Sequence, residues 1–324
     1  MSPICAAILA SGLSWAAVEA VDPAANVFAR GDEWAAHAEP SGGAGRAQPW
    51  DQWADRQREV AAARLSQETS RIGALAQIPE AATRSGPAVV YADTDKAERR
   101  LAARESGRLI ERVIEWIGAE PDCAIAWQPI VQFEFASRET YELIHAAVSD
   151  ANAVTGPAVA LHLDGPVAIV LTGPERSGQA LPHKLHRSHA VVRAALHLCH
   201  APGSLPPWAE HGLAWYWAMA DLDDSAVDAA LREPGLQYIR SGGDVHEVLT
   251  TPAGDVGHED SAELTASIGY LAVRGMMRRD EAATADWAAA VMKGERWQEA
   301  LGTTHGRSPQ RFARELADWH RVND

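Results

Sequence analysis

Basic residues are scarce in this chain. Across 324 residues, 29 Lys and Arg face 44 Asp and Glu, and the formal net charge is -15. No basic run is present. A phosphate backbone demands a basic face, so nucleic acid is excluded as an expected partner. Long apolar runs are also missing after the N-terminus, so no membrane span is expected beyond a candidate signal peptide. Cysteines number three. Cys5 would leave with a signal peptide, while Cys123 and Cys199 could pair in an oxidising compartment if the fold brings them together. Cys199 falls on the apolar side of its helix, where a buried inert thiol is the expected state.

What remains is the composition of a globular protein, 47% hydrophobic and 23% charged. Residues 1–20, MSPICAAILASGLSWAAVEA, are small and apolar and end in a small-x-small triplet, Val18-Glu19-Ala20. They read as a secretory signal peptide whose first part has no Lys or Arg. That predicts export to the periplasm or the extracellular space. The alternative is an apolar N-terminal helix of a cytoplasmic protein. Residues 21–48, rich in Ala, Gly, Pro and Glu, read as a linker or disordered arm. Residues 49–86 read as a helical extension whose helix spans 49–77, with Trp50, Trp53, Val60 and Leu65 as its buried stripe.

From residue 87 the pattern mixes strands and helices. A strand is predicted over 87–95 and a helix over 96–118, with Leu101, Leu109, Ile110, Val113, Ile114 and Ile117 inward. A second strand is predicted over 125–135, where Pro129 suggests an edge or a bulge. A short helix follows over 137–149. Residues 157–173 read as a hairpin turning at Asp164-Gly165. After residue 220 the reading is a short helical turn over 226–231 and a long loop over 234–260 carrying His246 and His258. Helices over 261–279, 283–293, 295–301 and 308–321 complete the chain. The first of these should bury Leu264, Ile268, Leu271, Ala272, Gly275 and Met276, and the last opens on Ser308-Pro309.

The densest chemistry lies in residues 181–219, two helices joined by a Pro/Gly turn. His186, His189, Arg193, His197 and His200 follow one another at spacings of three and four, which puts them on one face of the first helix. Val191, Val192, Ala195, Leu196 and Cys199 form the opposite, apolar face. His211 and Glu210 lie on the second helix. Trp208, Trp215, Tyr216 and Trp217 read as core and cleft wall rather than a carbohydrate platform.

The stretch Leu205-Pro206-Pro207-Trp208, with Gly212-Leu213-Ala214 and Tyr216 after it, resembles the peptidase MA-like domains of the gluzincin metallopeptidases. So do the element order before it and the E-R-W-Q-E-A-L-G and S-P-Q-R-F-A-R-E-L segments near the C-terminus. The resemblance covers residues 87–324. It implies an α+β, zincin-like domain: a small mixed sheet with an edge hairpin and two central helices (87–220), then a helical C-terminal lobe (221–324). In that family H-E-x-x-H on one helix and a glutamate on the next bind zinc, and the glutamate inside the motif is the general base.

Here the chain carries no H-E-x-x-H. One register keeps His189 and puts Ala190 and Arg193 at the other two positions. A second puts Arg193 first, Ala194 at the base position, and keeps His197. The third ligand has become His211, with Glu210 one residue out of register. Alanine cannot take a proton from water, and a permanently charged guanidinium cannot ligate zinc. The resemblance therefore implies a pseudopeptidase with no cofactor. Arg193 would pair with Glu210 or another acid, and the cleft would bind extended peptide or a protein partner. Two alternatives stand beside it: a metal-dependent hydrolase with a zinc site rebuilt from His197, His200 and His211, and a structural envelope protein without ligand.

Overall fold

The computed structural model describes residues 55–78, 82–118, 123–149, 159–174, 181–199, 205–220, 222, 224–251 and 260–323. The predicted signal peptide, the arm over 21–48, Trp50, Trp53, His200 and His258 lie outside them. Five strands and eleven α-helices make an α+β fold among the described residues.

The chain opens with α1 (Asp55–Ala76), then β1 (Thr83–Ser85) and β2 (Ala88–Ala92), an antiparallel pair. Helix α2 (Lys96–Ile117) is capped by the Asp95 carboxylate and stopped by Gly118 in the left-handed region. It leads through a short 3-10 turn to β3 (Ile130–Glu134). Helix α3 (Arg138–Ser149) precedes a hairpin of β4 (Val159–Asp164) and β5 (Val167–Thr172). The sheet order is β1-β2-β3-β5-β4. Strands β2, β3 and β5 are parallel, and the two edges, β1 and β4, run antiparallel to their neighbours.

Both faces of the sheet are covered. Leu65 and Ile72 of α1 and Tyr141, Ile144 and Val148 of α3 share a core with Phe133, Ile169 and Leu171. Helix α2 and helix α4 (His183–Cys199) pack on the other face, where the Ser106 hydroxyl donates to Oε1 of Gln132. This explains why β5 is buried at all six residues and why its sequence, VAIVLT, hardly alternates.

The rest is helical: α5 (Pro207–Met219), α6 (Ser225–Arg240), α7 (Val245–Thr250), α8 (Asp260–Arg279), α9 (Glu281–Met292), α10 (Trp297–His305) and α11 (Pro309–Asn323). Their core continues into α2 and α4 through Val113, Val192 and Leu196. Trp208 is its centre, packed on Trp287, Trp297 and Phe312. A Cβ on Gly212 would strike the Gly269 carbonyl, and one on Gly269 the Trp208 carbonyl. These two glycines let α5 and α8 cross at backbone contact.

Several expectations need correction. Strand β1 falls inside the stretch read as a helical extension, because the Gly86-Pro87 turn folds it onto β2. In α1 the buried stripe is Ala61, Leu65, Glu68 and Ile72, and Val60 is exposed. Leu101 and Gly275 also face solvent. Pro129 stands just ahead of β3, a central strand, so it marks neither an edge nor a bulge. The hairpin loop is Gly165-Pro166, with Asp164 still paired to Val167.

The largest difference is the predicted loop over 234–260. Its described part holds the end of α6 and all of α7, with His246 partly buried on α7. Helix α6 runs through Pro234 because Ser267 of α8 enters its ladder. The Ser267 hydroxyl accepts from the Gly235 N–H at 2.9 Å and donates to the Leu231 carbonyl at 2.8 Å. A regular helix would join those two groups directly. The tertiary hydroxyl thus satisfies what the proline turn disrupts.

Candidate functional site

The site is the contact between α4 and α5. Helix α4 buries Val191, Val192, Ala195 and Leu196, as its apolar face predicts. Its start is held by Arg187, whose guanidinium donates to Glu134 at the end of β3 (2.9 Å) and to Glu105 of α2 (2.7 Å). Its end is held by a disulfide between Cys199 and Cys123. Cys199 is therefore a crosslink, not the inert thiol expected from its helix face.

The polar stripe of α4 divides among three partners. His186 and His189 meet Trp215 of α5, His189 in a stack with centroids 3.9 Å apart. Arg193 Nε donates to Glu210 Oε1 at 2.7 Å. One turn on, His197 Nε2 lies 2.6 Å from the Gly165 carbonyl oxygen, so that imidazole ties α4 to the hairpin tip. His211, the neighbour of Glu210, brings Nδ1 to 3.3 Å from His189 Nε2, with one ring donating to the other.

Positions 189, 193 and 210–211 thus meet, and 197 is engaged elsewhere. Ala190 and Ala194 are buried methyl groups and supply no proton acceptor.

The electrostatics follow from this packing. Burial holds the His189 imidazole well below its usual pKa, and the positive fields of His211, Arg193 and His186 add to the shift. Burial likewise lowers His211 to about 4, helped by Arg193 and opposed by Glu210. Both rings are neutral at neutral pH. The one formal cation of the cluster, Arg193, is balanced by Glu210.

This donor set does not fit a zinc ion. His189 and His211 offer two nitrogens, but the side chain beside them, Arg193, is a guanidinium that cannot ligate. Among the described residues no three His, Cys, Asp or Glu side chains are grouped as a metal site would need. His197 points to the hairpin tip instead of converging with His211, so the rebuilt set of His197, His200 and His211 is not assembled within the described residues.

Sequence reasoning missed three residues around this site. Arg187 anchors α4, and its position two residues before His189 gave no hint of a partner on β3. His145 of α3 and His162 of β4 line a cavity of about 420 Å³ beside β4, together with Leu161, Leu163 and Arg193. The strand pattern Leu161-His162-Leu163 carried the alternation, but nothing in it said that β4 is the last strand. No protein-family model matches the chain, and no curated protein matches it either, so its chemistry rests on the residues described above.

Proposed function

We propose that this protein is a catalytically inactive, gluzincin-like pseudopeptidase whose cleft holds an extended peptide or a protein segment without cutting it. The observation that carries the proposal is the Arg193–Glu210 ion pair beside the His189–His211 contact. In the register that starts at His189, the residues His189, Arg193 and His211 fall at the positions where the resembled family places its zinc ligands, and Glu210 lies one residue away. A guanidinium–carboxylate pair joins the two helices there, which is the crosslinking role an ion would otherwise fill. The base position holds Ala190, which cannot activate water. The edge strand beside α4 supports peptide as the occupant, since an open edge can pair with an added strand. Export goes with this reading, and the Cys123–Cys199 disulfide supports it, because such crosslinks persist in oxidising compartments.

The test is metal content, by plasma mass spectrometry, on untagged protein purified without chelator. The proposal expects no stoichiometric metal, and a melting temperature unmoved by chelator or by added zinc. One zinc per chain, lost in His211→Ala, overturns it in favour of a metal-dependent hydrolase. Metal-free protein that binds no extended peptide leaves the structural reading instead.

A further inference from the structure

We infer that a cavity between α7 and α11 binds a phosphate monoester of a small molecule. None of its lining residues belongs to the α4–α5 contact, and the inference does not depend on the function proposed above.

The cavity is built from small residues. After α6 the chain turns back tightly: the Gly243 N–H donates to the Tyr238 carbonyl at 2.9 Å, and a Cβ on Gly243 would strike the Tyr238 ring. Asp244 then starts α7, with its Oδ1 accepting from the His246 and Glu247 N–H groups. Opposite lies one face of α11. Gln310, Ala313, Arg314, Ala317 and Arg321 recur there at spacings of three and four. Ala313 and Ala317 are buried. Glycine on one wall and alanines on the other leave a space of about 270 Å³. Apart from Val245, the larger side chains that line it are polar: Asp244, His246, Gln310, Arg314 and Arg321.

The charge of this lining runs against that of the chain. The whole sequence carries a formal -15, yet the cavity is lined by two arginines and one acid. That acid, Asp244, has its Oδ1 engaged in the α7 cap. Arg321 meets Asp318 at 3.4 Å in an exposed pair. Such a pair is worth little and yields to a better acceptor. Arg314 has no acceptor among the described residues. His246 Nδ1 is buried, also without a partner among them. Hydrogen-bonding capacity is therefore left over on both walls of one small space.

The arrangement selects the ligand. Arg314 and Arg321 stand two turns apart on α11, about 10 Å along its axis, and His246 lies on the opposite wall. A planar carboxylate offers two oxygens in one plane. A phosphate offers three acceptor oxygens in different directions, so it can serve donors that are spread along one wall and across to the other. At neutral pH a phosphate monoester carries about -1.5 to -2 charges, which two guanidiniums match. The cavity is smaller than those that take drug-sized ligands, so the esterified part has only a few atoms. The Asp244 carboxylate and the Gln310 amide are the polar partners for its hydroxyl groups.

The test is titration calorimetry on the full chain, in chloride buffer at fixed ionic strength. The probes are glycerol 3-phosphate, inorganic phosphate and acetate. Glycerol 3-phosphate should bind saturably, tighter than inorganic phosphate, with acetate far weaker than either. Arg314→Gln and Arg321→Gln should each weaken binding at least about ten-fold, as the loss of one charge-assisted hydrogen-bonded contact predicts. Both side chains are exposed, so the variants should fold, and circular dichroism checks this. Arg100→Gln, at an exposed arginine of α2, should leave binding unchanged. No saturable binding of either phosphate at millimolar concentration overturns the inference, and so does an equal loss in Arg100→Gln. Acetate that matches inorganic phosphate overturns the phosphate assignment. Inorganic phosphate that matches glycerol 3-phosphate overturns the monoester.

Discussion

At Arg193 and its neighbours one helix contact is held by an ion pair and an imidazole–imidazole contact. The residues that meet there were legible in the sequence as a stripe at helical spacing, but the register was not. His189 with Arg193, and Arg193 with His197, are equivalent i, i+4 pairs on an isolated helix. Only the placement of α5 chooses between them, by setting Glu210 on Arg193 and His211 on His189. A direct check follows. Arg193→His adds a third imidazole beside His189 and His211 and should create a cobalt- and zinc-binding site, read from the visible absorption of bound cobalt. No cobalt spectrum would mean that the three positions do not converge. The buried imidazoles also make stability depend on pH. His211 titrates near 6.5 when unfolded and at about 4 when folded. Between those values the unfolded chain binds more protons, so the contribution is intact above 6.5 and is lost as pH falls toward 4. From pH 7 to pH 5 the native protein should lose roughly 2 kcal/mol through His211 alone. Urea titrations of native protein and His211→Gln at the two pH values check this: the gap between them should narrow at pH 5.

Among the elements, α6 is the plainest case of tertiary override. A Pro-Gly pair read locally is a helix breaker, and the stretch was expected to be a loop. The helix persists because Ser267 lies across its broken ladder and because Gly235 has no side chain to hold α8 away. Replacing that hydroxyl should leave the Gly235 N–H and the Leu231 carbonyl unsatisfied in a buried place. Ser267→Ala should therefore cost about 1–3 kcal/mol, and hydrogen exchange should rise selectively over 231–240. Exchange that rises uniformly would show that Ser267 supports only the general core. Helix α2 shows the opposite case. Its Asp95 cap, its apolar spacing and Gly118 are all local signals, and its ends fall within a residue of expectation.

Across the whole molecule, the sheet and the helical lobe share one core through α2 and α4, and the Cys123–Cys199 crosslink pins the end of α4 beside the turn that precedes β3. The bridge closes a long loop, with its cysteines 76 residues apart. Loops of that size are the ones whose closure restricts the unfolded chain most. Cys199→Ser should cost about 2–4 kcal/mol in denaturant unfolding under oxidising conditions, and none in excess reductant. Equal stability of both forms without reductant would show that the thiols are unpaired. No helix among the described residues is long and apolar enough to cross a membrane.

Amphipathic spacing, caps and turn residues are properties of neighbours along the chain. They were enough to place α2, β2, β3, the β4–β5 hairpin, the two central helices, and the polar and apolar faces of α4. Pairing and partnership are not. The order of β4 at the sheet edge, the path of α6 through Pro234, the pairing of two cysteines and the choice of Glu210 as the partner of Arg193 each join residues far apart in sequence. Such contacts form only once the whole core closes, and no local pattern encodes them.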